Sequence, residues 1–474
     1  MDYKKTLSYL YNLRSHGIKL GLENINKISH ILRDPQNAYN AIHIAGTNGK
    51  GTTAKSFQAL LTANGYTTGL FTSPHLTRFT ERISIDGIEI TQQEVVDLTM
   101  QIQDSIRNIP DISPTFFECV TMIAFLYFKS KVDTQNKKGV QWAVFETGLG
   151  GRFDSTNIIK SNLCIITNIN EDHKEFLGST IKEIAFEKAG IIKPNIPVVS
   201  MLQSAQAMEV IEESARNNYA PLYIYGRDFS AEDIVTDIKG ATFKYAGSQN
   251  ITVHTTISGV HQAQNIACAI KGFELLFDDL SKVQSALDNL KWQARYEFIK
   301  VGAGFFNGSE TLPALIKDNY HSKIDSNKEL AILIDGAHNP AAIAALAQTI
   351  KDLYLSTQYT EVILIIGIMS DKDKTKMLEN ILPICKDVIF TAPKGGRAES
   401  PQNLKDIAEK ISLKDKPRFH ISADTRDALN KAAKLSVINK SLIVITGSFY
   451  VIGEIKELMG EKTALKDLAE VFRQ

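Results

Sequence analysis

Hydrophobic and polar positions along the chain follow two patterns that alternate. Short, nearly continuous apolar runs read as strands buried on both faces, the signature of a parallel sheet. Stretches with apolar residues at i, i+3, i+4 and i+7 read as amphipathic helices. Strands are predicted at 41–45, 68–71, 142–145 and 163–167, and helices at 3–14, around 25–32, after residue 53, and at 92–108, 115–131 and 180–190. Ile83–Ile90 alternates about Asp86-Gly87, a hairpin signal. Residues 220–258 turn β-rich, with Gly247-Ser248-Gln249-Asn250 as a turn, and a helix opens near Gly259 carrying Ile266 and Ile270 inward. Further strands fit 330–334, 362–366, 388–391, 418–421 and 442–446, with helices between them. The expected fold is α/β: a doubly wound, phosphate-loop type domain over 1–297, then a smaller Rossmann-like α/β domain over 298–474. Residues 301–328, rich in turn chemistry, come early in the second.

A chain of 474 residues agrees with two domains. Hydrophobic residues make up 43% and charged residues 22%, enough apolar side chains for a large core. Lys+Arg and Asp+Glu both number 53, so no bulk charge argues for nucleic acid or an anionic membrane. The start, Met1-Asp2-Tyr3-Lys4-Lys5, shows no signal-peptide core, and the apolar runs near 122–128 and 362–369 are too short to span a bilayer. Cys119, Cys164, Cys268 and Cys385 have no disulfide or metal-ligand spacing and read as reduced core residues. The expectation is a cytoplasmic protein, a monomer acting on small molecules, with no nucleic-acid or membrane partner.

The chemistry centres on Gly46-Thr47-Asn48-Gly49-Lys50-Gly51-Thr52, between a predicted strand and a predicted helix. Glycines there let backbone N–H groups turn toward a phosphate, and the helix N-terminus adds its dipole. Lys50 would neutralise phosphate and the Thr52 hydroxyl would face magnesium. The spacing departs from the common phosphate loop, since two residues separate Gly46 from Gly49 and Gly51 intervenes before Thr52. A glycine turn with no ligand is the alternative. Glu146 follows the strand at 142–145 and His173 lies shortly after Thr167, so Thr52, Glu146 and His173 could share a magnesium at one sheet edge. Taken singly, the two could be a solvated charge and a loop histidine. Between them, 147–157 carries three glycines with Arg152 and Asp154 able to orient a ligand, or is a flexible loop. On the 180–190 helix, capped by Thr180, Glu183 and Gly190, Lys188 shares the stripe of Ile181, Ile184 and Ala185. It is either buried or a lysine that snorkels to solvent. Asp335 ends a strand, and Asn339-Pro340 then starts a helix as N-cap and first turn.

Taken together, these segments resemble the folylpolyglutamate synthase/dihydrofolate synthase members of the Mur ligase superfamily. The resemblance rests on GTNGKGT at 46–52, SPHL at 73–76, ERI at 81–83, ETGLGGRFDSTN at 146–157 and TNINEDHKEFLG at 167–178. It continues through IAFEKAGIIK at 184–193, HQAQN at 261–265, DGAHNP at 335–340, DKDK at 371–374 and TGSFY at 446–450. It implies ATP-dependent amide ligation: ATP phosphorylates a pterin carboxylate, and L-glutamate displaces phosphate. By position it implies nucleotide contacts at Asn48, Gly49, Lys50, Gly51, Thr52, Asn265, Arg295 and Asp335. Metal ligands for two magnesium ions would include Thr52, Ser73, Glu146 and His173. Pterin contacts would be Ile18, Lys19, Leu20, Thr115, Phe153, Asp154 and Ser155. Lys50, His338 and a carbamylated Lys188 are implied as catalytic groups. Ala294-Arg295 stands where Gly-Arg is usual, and Lys19 replaces an acid of a bifunctional pattern. The resemblance therefore leaves open whether both dihydropteroate and folates are extended. A UDP-sugar amino-acid ligase and a nucleotide-dependent switch are the rival readings; SPHL opposes the first, and the Asp335–Pro340 group has no job in the second.

Overall fold

A computed structural model describes residues 1–16, 21–109, 111–131, 139–302, 329–355, 359–394, 397–436 and 440–460. Ile18, Lys19, Leu20 and most of the 301–328 stretch lie outside the described residues.

The first sheet has eight strands: β1 (Asn40–Ala45), β2 (Thr68–Phe71), β3 (Ile83–Ile85), β4 (Ile88–Glu89), β5 (Trp142–Glu146), β6 (Ser161–Ile166), β7 (Val198–Ser200) and β8 (Leu222–Ile224). Their spatial order is β4-β3-β2-β5-β1-β6-β7-β8. The six strands from β2 to β8 in that order pair in parallel, and the β3–β4 hairpin adds an antiparallel edge. Asp86 and Gly87 turn that hairpin with φ of 49° and 82°, the left-handed pair a tight hairpin needs. Helices cover both faces, so Ile42, Ile44, Val144, Leu163 and Ile165 meet no water. That is why these strands read as unbroken apolar runs. Ala54, Phe57, Leu60 and Leu61 of the helix Lys50–Ala63 pack into the same core, as their spacing requires.

A three-stranded antiparallel sheet follows: β9 (Ser230–Asp237), β10 (Gly240–Ala246) and β11 (Asn250–Thr255), ordered β11-β10-β9. Phe243, Tyr245 and Val253 share a core with Ile266 and Ile270 of the helix Val260–Phe277.

The second domain holds β12 (Glu297–Gly302), β13 (Glu329–Ile334), β14 (Glu361–Ile366), β15 (Asp387–Phe390), β16 (Arg418–Ile421) and β17 (Ser441–Thr446), ordered β12-β13-β17-β14-β15-β16. All pairs are parallel except β12 on β13. β12 is not among the predicted strands. It is a polar-interrupted edge (Glu297, Lys300) whose identity comes from pairing with β13, a long-range contact that local pattern does not encode.

One predicted cap has a different cause. Gly190 ends its helix with φ −62°, an ordinary right-handed conformation, so no left-handed cap is needed. A Cβ there would lie 2.3 Å from the Cβ of Arg152, and glycine is required by that close approach. Cys119, Cys164 and Cys268 are free and buried, and Cys385 is free and partly exposed. No described helix is long and apolar enough to cross a membrane.

Candidate functional site

The C-terminal ends of both parallel sheets open on one cleft of about 2060 Å³ lined by residues of both domains. Its floor is the loop from Gly46 to Gly49. Gly46 has φ 150° and Gly49 φ 92°. A Cβ on Gly49 would fall 2.3 Å from Asn265 Oδ1, so this glycine brings the loop against the helix that carries Asn265. Thr47 N and Thr47 Oγ1 donate to the carbonyls of Asn168 (2.8 Å) and Asn170 (3.0 Å), tying the loop to the segment after β6. Lys50 Nζ donates to the carbonyls of Gly46 (3.0 Å) and Thr47 (3.2 Å). Backbone donors, a helix N-terminus and a lysine therefore converge as an oxyanion of phosphate type requires.

Thr52 is fully buried and its Oγ1 has no hydrogen-bond partner. A Cβ on the preceding Gly51 would stand 3.6 Å from Glu146 Oε2 and 3.3 Å from the Trp292 ring, so the helix start runs close under both. Glu146 Oε2 accepts from Ser73 N at 3.1 Å. Burial raises the Glu146 carboxyl pKa, opposed by Lys50, Ser73 N, Arg295 and Arg82. An orphaned hydroxyl and a buried, under-neutralised carboxylate beside a phosphate loop are hard oxygen donors of the kind that hold magnesium.

His173 lines the cleft on the segment after β6. It has φ 50°, and its Nε2 lies 3.4 Å from Lys372 Nζ of the second domain. Among the described residues, no three of His, Cys, Asp and Glu gather as a metal cluster; Glu146 and His173 both line the cleft with Thr52 and Ser73. Asp172 pairs with Lys372 at 2.6 Å, both side chains under a tenth exposed. Burial would raise the Asp172 pKa, but His173, Lys372 and His338 together hold it far below the carboxylate range. Asn48 and Asn339 exchange hydrogen bonds of 2.9 and 3.3 Å across the same boundary.

Lys188 is 4% exposed and donates to Gly46 O at 2.9 Å, so it does not snorkel to solvent. Burial, then the charge of Lys50, lower its pKa to about 7.

The 147–157 segment is not a flexible loop. Both oxygens of Asp154 accept two bonds: Oδ1 from Thr156 N (3.0 Å) and Oγ1 (2.5 Å), Oδ2 from Gly148 N (2.8 Å) and Leu149 N (2.9 Å). Asp154 therefore shapes the loop with its acceptors already filled. Arg152 is spent on Glu187 at 2.6 Å and on the Phe153 ring, and is not aimed at a ligand as its sequence context suggests. Thr115 caps the helix Phe116–Ser130, and Phe153 and Ser155 line the cleft beside it.

From the second domain, Asp335 accepts from Tyr296 N (3.1 Å) and Ala337 N (2.9 Å). Burial lowers the Arg295 pKa, against Asp335 and Glu146, and its guanidinium covers the Phe449 ring at 5.1 Å. His338 Nδ1 meets Gly336 O at 2.8 Å; burial, then Lys372, bring its pKa to about 4, so it stays neutral. Asp172, Lys372 and the interdomain use of Asn339 are not among the predicted site residues. Their only sequence signal is membership of the polar EDH, DKDK and HNP runs.

Residues 44–271 match the Mur ligase middle domain, and 322–449 the Mur ligase glutamate ligase domain. A dihydrofolate synthase/folylpolyglutamate synthase of Bacillus subtilis is 31% identical over 471 residues, covering 96% of this chain and 98% of its own. The chain belongs to the folylpolyglutamate synthase/dihydrofolate synthase family of Mur ligases. Solved ligases of this family superpose closely. The Mycobacterium tuberculosis folylpolyglutamate synthase complexed with ADP and AMPPCP has 28% identity and a TM-score of 0.82, covering 98% of this chain and 100% of that one. The Thermotoga maritima folylpolyglutamate synthase has 30% identity and a TM-score of 0.78, covering 98% and 99%.

Proposed function

We propose that this protein is an ATP-dependent ligase that adds L-glutamate to a pterin carboxylate through an acyl phosphate, as its family membership supports. The observation that carries the reading is the convergence of the Gly46–Thr52 loop, buried Glu146 and the second domain's Asp335–His338 segment on one cleft. The loop amides and Lys50 bind the ATP phosphates, while Asn265, Arg295 and Asp335 hold the nucleoside. Thr52, Ser73, Glu146 and His173 would hold magnesium, which would neutralise charge on the transferring phosphate.

The acceptor's pterin lies against Thr115, Phe153 and Ser155, on the loop Asp154 shapes. Its carboxylate oxygen attacks the γ-phosphorus and ADP leaves. The glutamate amine then attacks the acyl carbon, the amide forms, and phosphate departs with the acyl oxygen. Closure of the domains excludes water from the acyl phosphate. Neutral His338 is placed to accept the amine proton.

Lys188 carries a carbamate in this reading: its free amine adds to carbon dioxide, an N–C bond forms and one proton is released. The second domain begins with β12 at Glu297, one residue before the expected 297/298 boundary, beside a hinge in which Ala294 and Tyr296 hold φ of 53° and 49°. Both dihydropteroate and folates are acceptors, and the protein works as a cytoplasmic monomer. Phosphate release measured with acceptor and L-glutamate each omitted tests the reading. Release needing both supports it; release indifferent to the pterin sinks it.

A further inference from the structure

One stretch of cleft wall has no part in the steps above. Arg82, directly before β3, is 5% exposed, and its Nε donates to His75 Nδ1 at 2.7 Å. A histidine that accepts at Nδ1 is neutral, and burial with Arg82 and Arg14 beside it keeps it so. His75 therefore orients the guanidinium without neutralising it. Arg14 lies 4.4 and 4.5 Å from the stacked rings of Tyr11 and Phe116, and Arg82 lies 5.6 Å from the same Phe116 ring. Among the described residues no carboxylate comes within ion-pair distance of either arginine; Glu146 attracts Arg82 from farther off. Two adjacent guanidinium groups, one of them buried, are costly without an anion. Both line the cleft, so the anion comes from solution.

We propose that Arg82 and Arg14 receive a carboxylate of the incoming L-glutamate, an inference that rests on the ligase reading. Three observations choose this occupant. The ATP phosphates already have the loop, the helix N-terminus and Lys50. The cluster lines the same cleft as Glu146, where the acyl phosphate forms, and Tyr450 of the second domain. Arg397 Nη2 donates to the Tyr450 hydroxyl at 3.2 Å, so a further cation faces the same space. An amine attacking beside Glu146 carries its α-carboxylate one carbon away, within reach of a bidentate guanidinium. An acceptor such as dihydropteroate has no second carboxylate, so a site for the acceptor's tail would stand idle with it.

Arg82→Lys and Arg14→Gln are compared with the unsubstituted protein in two assays. The first is glutamate-dependent phosphate release. The second is trapping of the acyl phosphate by hydroxylamine without glutamate, which forms a hydroxamate and phosphate. The KM for L-glutamate should rise about ten- to a hundredfold in Arg82→Lys, and less in Arg14→Gln, with either acceptor. Hydroxamate formation should stay within about twofold, which general damage to the fold would not spare. An unchanged glutamate KM, a rise confined to the KM for tetrahydrofolate, or parallel loss of both activities overturns the subsite. If the unsubstituted protein forms no hydroxamate and releases no phosphate, the ligase reading falls, and the subsite with it.

Discussion

Gly46 is the residue whose replacement most sharply probes how the phosphate loop is built. A Cβ there would lie 1.9 Å from Thr167 Oγ1, 3.0 Å from its Cβ and 3.2 Å from its carbonyl carbon. The backbone is also at φ 150°, where L side chains rarely go. Gly46→Ala should cost about 1–2 kcal/mol in backbone strain and about 1–3 kcal/mol in overlap. The same peptide carbonyl accepts from Lys50 Nζ and Lys188 Nζ, so any shift that relieves the overlap displaces two functional lysines. Activity should therefore fall more than stability does. Thr167→Ala removes the nearest clashing atom at the loss of one long bond, Oγ1 to Ala45 O at 3.3 Å, about 0.5–1.5 kcal/mol. In a double-mutant cycle read by urea unfolding, the pair should be more stable than the sum of the singles by about 1 kcal/mol or more. Strict additivity, or a Gly46→Ala protein as stable and active as its parent, would refute this account of the loop.

Glu146→Gln should lower kcat by about a hundredfold or more with little effect on stability, and normal turnover at ordinary magnesium would end the metal assignment. Lys188→Ala should be folded and nearly inactive, with partial rescue by a short carboxylic acid. With a pKa of about 7, the Lys188 amine is free above that pH and protonated below it, so reactivation of decarbamylated protein by bicarbonate should fade as pH drops through 7. Full activity in rigorously bicarbonate-free buffer would contradict it. Lys372→Met strands a buried Asp172 carboxylate and should open the interdomain contact, read as a larger radius of gyration by small-angle scattering; Asp172→Asn in the same chain should restore compactness.

The parallel strands and the helices between them are legible because burial on both faces leaves a local trace, as in Ala41–Ala45 and Leu442–Thr446. The phosphate loop and the capped Lys188 helix are legible for a similar reason: turn, cap and stripe are short-range properties. β12 is not, since its register comes from β13. Nor is the Asp172–Lys372 pair, which joins positions 200 residues apart. Asp154 shows a different limit. Its place in a glycine-rich loop marks it as important, yet only the structure shows four hydrogen bonds turned inward on that loop. Arg82 likewise sits in a conspicuous ERI run whose meaning depends on the absence, among the described residues, of a carboxylate within ion-pair distance, a three-dimensional fact.

The central claim is that the acceptor's carboxylate is activated as an acyl phosphate in the cleft between the two domains. It is tested most directly by labelling that carboxylate with oxygen-18 and analysing the released phosphate by mass spectrometry. Transfer of the carboxyl oxygen to phosphorus, followed by amide formation, predicts one labelled oxygen in each phosphate released with product. Unlabelled phosphate, formed while the glutamyl product accumulates, would contradict the mechanism.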